Sequence, residues 1–191
     1  IEIPNAYTKK LTLNTGSERT NLYLYLLKGK NVAIVSNQTS IVGRSIKQED
    51  GSEKQNGIHI VDSLLSLGIK VKKVFAPEHG FRGKQDAGET IKDGLDTKTG
   101  LPVISLYGEN KKPSADQLKN IDVVIFDIQD VGARFYTYIS SLHYVMEACA
   151  ELEIPVILLD RPNPNGHYID GPVLEFEHKS FVGMHKVPVV Y

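Results

Sequence analysis

A chain of 191 residues with 22 basic and 23 acidic side chains has the size of one domain and lies close to electrical neutrality, which argues against a nucleic-acid footprint or a polybasic membrane patch. Its length allows a core that needs no structural metal or disulfide, and the single cysteine, Cys149, reads as a core thiol. No apolar stretch reaches the length of a membrane span and no signal peptide is present. The chain begins at Ile1 rather than methionine, so a trimmed export signal or other leading segment is expected.

Residues 1–16 are polar and read as a tail or edge segment, which leaves 17–191 as one α/β domain. Arg19 to Leu27 has helical periodicity and leads into Val32 to Val35, the first of five short runs rich in β-branched residues. Ser36-Asn37-Gln38-Thr39 follows it, and Arg44 to Gly57, hydrophilic and crowded with charge, reads as a surface insertion. Ile58 to Leu67 predicts a second helix with Gly68 as its C-cap, ahead of the run Val71 to Phe75. The third run is Val103 to Leu106; a short helix is expected over Ser114 to Lys119, a fourth strand over Val123 to Phe126, a long helix over Tyr136 to Leu152, and a fifth strand over Pro155 to Leu159. These runs are continuous rather than alternating, as in strands buried on both faces. With right-handed crossovers, the pattern predicts a three-layer Rossmann-like domain: a mainly parallel sheet with helices on both faces.

Open α/β sheets bind ligands outside the carboxyl ends of their strands. The richest such tip is Pro77-Glu78-His79-Gly80-Phe81-Arg82-Gly83, with an acid, an imidazole and a guanidinium within five residues. The other tips are Ser36 to Thr39, Ser105-Leu106-Tyr107-Gly108, Asp127 to Tyr138, and Asp160-Arg161-Pro162-Asn163-Pro164. All carry side chains suited to a hydroxyl-rich ligand, with rings to stack on sugar faces. No G-x-G-x-x-G, P-loop or G-x-S-x-G pattern occurs, which disfavours dinucleotide oxidoreductase, nucleotide hydrolase and serine hydrolase chemistry. No H-x-x-x-H or C-x-x-C spacing occurs either, so no metal or cofactor is expected.

Four segments in order, Pro77 to Gly83, Gly100-Leu101-Pro102 to Tyr107-Gly108, Asp127 to Tyr138 and Leu159 to Pro164, resemble the signature segments of the bacterial exo-β-N-acetylmuramidases, the NamZ-like family. The resemblance runs from about Val32 to the end. It implies a Rossmann-like domain followed by a smaller C-terminal domain that this chain lacks. It also implies an extracytoplasmic glycosidase without cofactor that releases N-acetylmuramic acid from non-reducing ends of peptidoglycan fragments, using two glutamates in a cleft. Thr39-Ser40-Ile41 departs from the family pattern by lacking a glycine, and the insertion Arg44 to Gly57 is longer than expected. The rival class is a non-catalytic module that binds cell-wall sugars or peptides.

Glycoside hydrolysis needs one carboxyl group to protonate the leaving oxygen and a second as base or nucleophile. Glu78 is the candidate for the first role: Phe75, Pro77 and Phe81 favour its neutral acid, while His79 or Arg82 favours the carboxylate. For the second, the resemblance points to Glu147, but Ser140, Tyr144, Glu147 and Glu151 share a helical face opposite Leu142, Met146 and Cys149 that reads as solvated. Asp130, at a strand tip, is better placed and is equally suited to a turn or cap. Arg134 and Arg161 match the lactyl carboxylate of muramic acid, and Arg161 matches a salt bridge to Asp160 or Asp127 as well. Asn37 and Asn163 suit acetamido or hydroxyl groups, His79 and Arg82 the same cleft, and Tyr136 and Tyr138 a sugar face, one of the two being core. His185 reads as a rim or surface residue.

Overall fold

The computed structural model describes residues 13–43, 45–47, 53–55, 57–78, 80–82 and 93–191. Its central sheet is built from β1 (Asn31–Ser36), β6 (Lys70–Ala76), β7 (Gly94–Leu95), β8 (Pro102–Ser105), β9 (Val123–Asp127) and β10 (Val156–Leu158), in the order β10-β9-β1-β6-β8-β7. All neighbours are parallel except β7, which runs antiparallel on the β8 edge. The five expected strands are all present. The order reverses direction between β1 and β9, so the crevice for a ligand lies above the tips of those two strands.

Two helices cover each face. On one, α1 (Thr20–Leu27) and α2 (Ile60–Ser66) bury Tyr23, Leu27, Ile60, Val61 and Leu64 against Val32, Ile34, Val71, Val74, Val123 and Ile125. On the other, α3 (Ala115–Leu118) and α4 (Tyr138–Glu151) bury Leu118, Tyr138, Val145, Ala148 and Cys149 against Ala33, Val35, Phe75, Val124 and Phe126. Val71 and Val74 reach the same face because the β1–β6 register slips between Val32 and Ala33, which puts an extra residue into β6.

Local chemistry sets the helix ends. Gly68, at φ 75°, takes the left-handed position just past α2, and Ser114 caps α3 by accepting from the Gln117 N–H, with Gln117 reaching back in a capping box. The long helix starts at Tyr138, two residues later than the periodicity predicts. Its stripe is also rotated: Ser140 and Ser141 are buried with Val145, Ala148 and Cys149, while Met146 is 52% exposed. Burial pushes the Cys149 thiol up to about 11, as a core thiol requires.

The expected insertion is in part ordered pairing. β2 (Ile41–Val42) pairs antiparallel with β5 (Ile58–His59), and β3 (Ser45–Lys47) with β4 (Glu53–Gln55). The end of the expected tail is docked rather than loose: a 3-10 turn at Gly16–Glu18 lies on the β10 side, with the Gly16 N–H donating to the Asp160 carbonyl at 2.7 Å. No helix among the described residues is long and apolar enough to cross a membrane.

Candidate active site

Glu78 stands half-buried just past the tip of β6. The Thr137 hydroxyl, at the start of α4, donates to its Oε2 at 3.1 Å. Tyr107, past the tip of β8, faces the same carboxylate, whose charge, ahead of desolvation, pushes the phenol's pKa up. Tyr138 is raised too, first by burial and then by the charge of Glu78, with a further push from Asp130. Thus Glu78 and Asp130 both act on the Tyr138 phenol, and the β1, β6, β8 and β9 tips meet around it. Among the described residues no cation pairs with Glu78.

Asn37 belongs to this cluster but has no exposed surface. Its Oδ1 accepts from the Thr39 N–H at 2.9 Å and the Thr39 hydroxyl at 2.6 Å. Its Nδ2 is buried without a hydrogen-bond partner of good geometry, though it interacts with the Tyr138 hydroxyl. Asn37 therefore positions the tip rather than touching a ligand. His59 closes the loop from below. Its Nδ1 accepts from the Val61 N–H at 3.3 Å, so its Nε2 carries the proton and donates to the Asn37 carbonyl at 2.9 Å. Desolvation lowers its pKa, in keeping with a neutral ring.

The two carboxylates weighed for the second role differ sharply. Asp130 accepts from the Gly132 N–H and the Tyr191 hydroxyl, each at 2.9 Å and both on Oδ2, and its Oδ1 is buried without a partner among the described residues. Burial, followed by the Asp130 charge, raises the Tyr191 phenol well above its usual range. Glu147 lies on the exposed side of α4, 3.3 Å from Lys112, nine residues beyond the helix start, or ~13 Å along its axis. It is not part of the cluster.

The cationic contacts read from the sequence are engaged elsewhere. Arg82 forks both Asp62 and Asp96, at 2.8–3.2 Å, which holds Asp96 well below the usual carboxylate range once desolvation is offset. Arg161 is buried and bidentate on Asp127, Nε to Oδ1 at 2.6 Å and Nη2 to Oδ2 at 2.9 Å, and Nη2 also donates to the Ile41 carbonyl at 3.1 Å. Arg134 donates its Nη1 to the Pro172 and Val187 carbonyls, at 3.0 and 2.7 Å. Asn163 donates Nδ2 to the Tyr191 carbonyl and accepts from the Asn165 N–H. All four brace loops, and Arg161 also lines a small cavity with Asp130 and Tyr138. His79 lies outside the described residues.

Of the aromatic pair, Tyr138 is the buried one, 7% exposed, and Tyr136 is open to solvent at 41% beside Phe135 at 57%. The rings of Phe135, Tyr136 and Tyr138 follow one another at 5.6 and 6.3 Å, a ramp from the surface to the carboxylates that suits stacking on a sugar face. Thr137 and Tyr107 are the contacts that sequence reasoning missed; their one signal was membership of strand tips. His185 is half-buried, its Nε2 3.3 Å from His143 Nδ1 on α4. Among the described residues one trio has metal-ligand spacing, Glu175, Glu177 and His178, all exposed.

Comparison with known proteins places the chain in a family. The chain is 45% identical over 189 residues to the peptidoglycan β-N-acetylmuramidase NamZ of Bacillus subtilis, covering 97% of this chain and 42% of that protein. Two crystal structures of DUF1343 family proteins from Bacteroides fragilis superpose with TM-scores of 0.75 and 0.76, at 44% and 38% identity. Each match covers 93% of this chain and 42% of the other, so the chain spans about two fifths of the length of these relatives. Residues 32–191 match the model of the N-terminal region of the exo-β-N-acetylmuramidase NamZ, and the chain belongs to that family.

Proposed function

We propose that this chain supplies the acid side of an exo-β-N-acetylmuramidase active site. The enzyme releases N-acetylmuramic acid from the non-reducing ends of peptidoglycan fragments, outside the cytoplasm, in cell-wall turnover or recycling. The observation that carries the reading is the setting of Glu78: half-exposed at a strand tip, free of any cation among the described residues, and bonded by the Thr137 hydroxyl. In this reading Glu78 gives its proton to the glycosidic oxygen as the bond to the anomeric carbon breaks. Asp130 is assigned the second role, as nucleophile or as base toward water, because it stands just past the tip of β9 and acts on the same Tyr138 phenol as Glu78. Phe135 and Tyr136 stack on the sugar. The lactyl carboxylate is left to groups beyond the arginines described above, including any in a full-length protein that correspond to the part of the longer relatives this chain does not cover.

The test is turnover of a chromogenic β-N-acetylmuramide by the polypeptide of the complete gene. Glu78→Gln is expected to lose at least ~10³-fold in kcat while still binding the sugar. An unsubstituted protein that binds the sugar without turnover would instead be a wall-sugar binding module.

A further inference from the structure

The opposite end of the sheet carries a second concavity that the proposed chemistry leaves unused. It is an open cavity of about 550 Å³ lined by Lys72, Lys73, Lys119, Asn31, Asn120 and Asp122. Lys72 lies near the start of β6, six residues before Glu78. At ~3.3 Å per residue the two sites are ~20 Å apart.

The lining has one dominant sign. None of its three lysines forms an ion pair among the described residues, in contrast to Lys98 with Asp62 and Lys112 with Glu147 and Glu151. Lys73 spends one donor on the Gln117 carbonyl, at 2.6 Å, and desolvation pushes its pKa down, as expected of an ammonium gathered in without a counter-charge. Asp122 is the lone carboxylate in the lining, and its Oδ2 already accepts the Asn31 N–H at 2.7 Å. Exposed Lys70, in register with Asn31, and exposed Lys30, next to Asn31 in sequence, extend the patch. Like charges so placed raise the local potential on a chain whose formal net charge is only -1. Overall balance therefore conceals a segregated basic end.

The lining cations are all lysines, point charges that can meet phosphate oxygens without a fixed planar geometry. Asn31 and Asn120 add amides that can bond ester oxygens or hydroxyls between charges. We propose that this cavity binds a phosphodiester polyanion lying across Lys72, Lys73 and Lys119, and so tethers the protein to a phosphate-bearing chain while the Glu78 end stays free.

The experiment is fluorescence anisotropy of the full chain with a labelled glycerol-phosphate decamer at about 50 mM NaCl. Saturable binding is expected, weakening about tenfold for the pair Lys72→Glu and Lys119→Glu and several-fold on going to about 200 mM NaCl. Lys179→Glu, an exposed lysine of the C-terminal segment, is expected to change it less than about twofold. Circular dichroism checks that the variants fold. The proposal is overturned by absent binding, or by equal weakening from Lys179→Glu. Displacement by about 1 mM inorganic phosphate would reduce the cavity to a single-ion pocket, and tighter binding to phosphatidylglycerol-containing vesicles would make it a membrane surface; either also overturns it. Turnover is not measured, so the result is independent of the glycosidase reading.

Discussion

Removing the Arg161 guanidinium is the sharpest test of how the strand-tip crevice is held together. Asp127 is fully buried at the end of β9, and among the described residues Arg161 supplies its opposite charge, through contacts of 2.6 and 2.9 Å. The same guanidinium reaches the Ile41 carbonyl and the Ser17 hydroxyl, tying β2 and the 3-10 turn to the sheet. Arg161→Ala leaves an uncompensated buried charge, a change that costs ~3–5 kcal/mol out of a total stability of ~5–15 kcal/mol. For a chain of this size each kcal/mol moves Tm by ~2–4 °C, so a fall of ~6–20 °C is expected. The pH dependence has a definite sign. Burial lifts Asp127 above its ordinary value while Arg161 pulls it back, so the folded state keeps this proton to a higher pH than the unfolded chain does. Stability from this group is then fully present below the ordinary carboxylate pKa and is lost as pH rises through the folded value. Deleting Arg161 widens that window, and the fall in Tm should be larger at about pH 7.5 than at about pH 4.5. The double change Asp127→Leu with Arg161→Met should regain most of the loss, since a buried pair replaced by apolar groups is often neutral. Thermal unfolding by circular dichroism at both pH values decides it: equal falls at the two, or a fall below about 2 °C, refute the reasoning.

Thr137→Val should lower kcat about tenfold and shift the pH–rate profile with little change in Tm, and Thr137→Ser should restore both, because the hydroxyl acts through Glu78. Asp130→Asn should cost ~10²–10⁴ in kcat while Glu147→Gln changes it less than about twofold; the reverse pattern would return the second role to Glu147. Gly132→Ala should destabilise by at least ~2 kcal/mol in urea melts, because Gly132 holds φ at 66° and an added Cβ would lie 2.1 Å from Asn163 Oδ1.

Continuous β-branched runs made the five parallel strands legible, since nothing but burial on both faces explains Val32 to Val35 or Val123 to Phe126. β7 escaped notice because two residues, Gly94 and Leu95, carry no periodicity and are placed by pairing with β8. Glu78 was legible by its chemistry and its position after a strand. The arginines were not, because residue type supplies the donors and the fold selects the acceptors. The partners of Arg82 lie 14 and 20 residues away in sequence, and those of Arg161 lie 34, 120 and 144 away. Thr137 was hidden in the same way, its acceptor being 59 residues distant.

Thr137 occupies the N-cap of α4 and yet makes no side-chain cap bond, its hydroxyl being turned to Glu78 instead. A proper cap there is worth ~0.5–2 kcal/mol, so the helix forgoes robustness in favour of a donor aimed at the acid. Thr137→Asp sets the two demands in opposition: it would offer a cap acceptor to the helix start while bringing a second, nearly buried anion against Glu78. Repulsion between the two carboxylates offsets the cap, so selection for heat resistance has little to gain at this position.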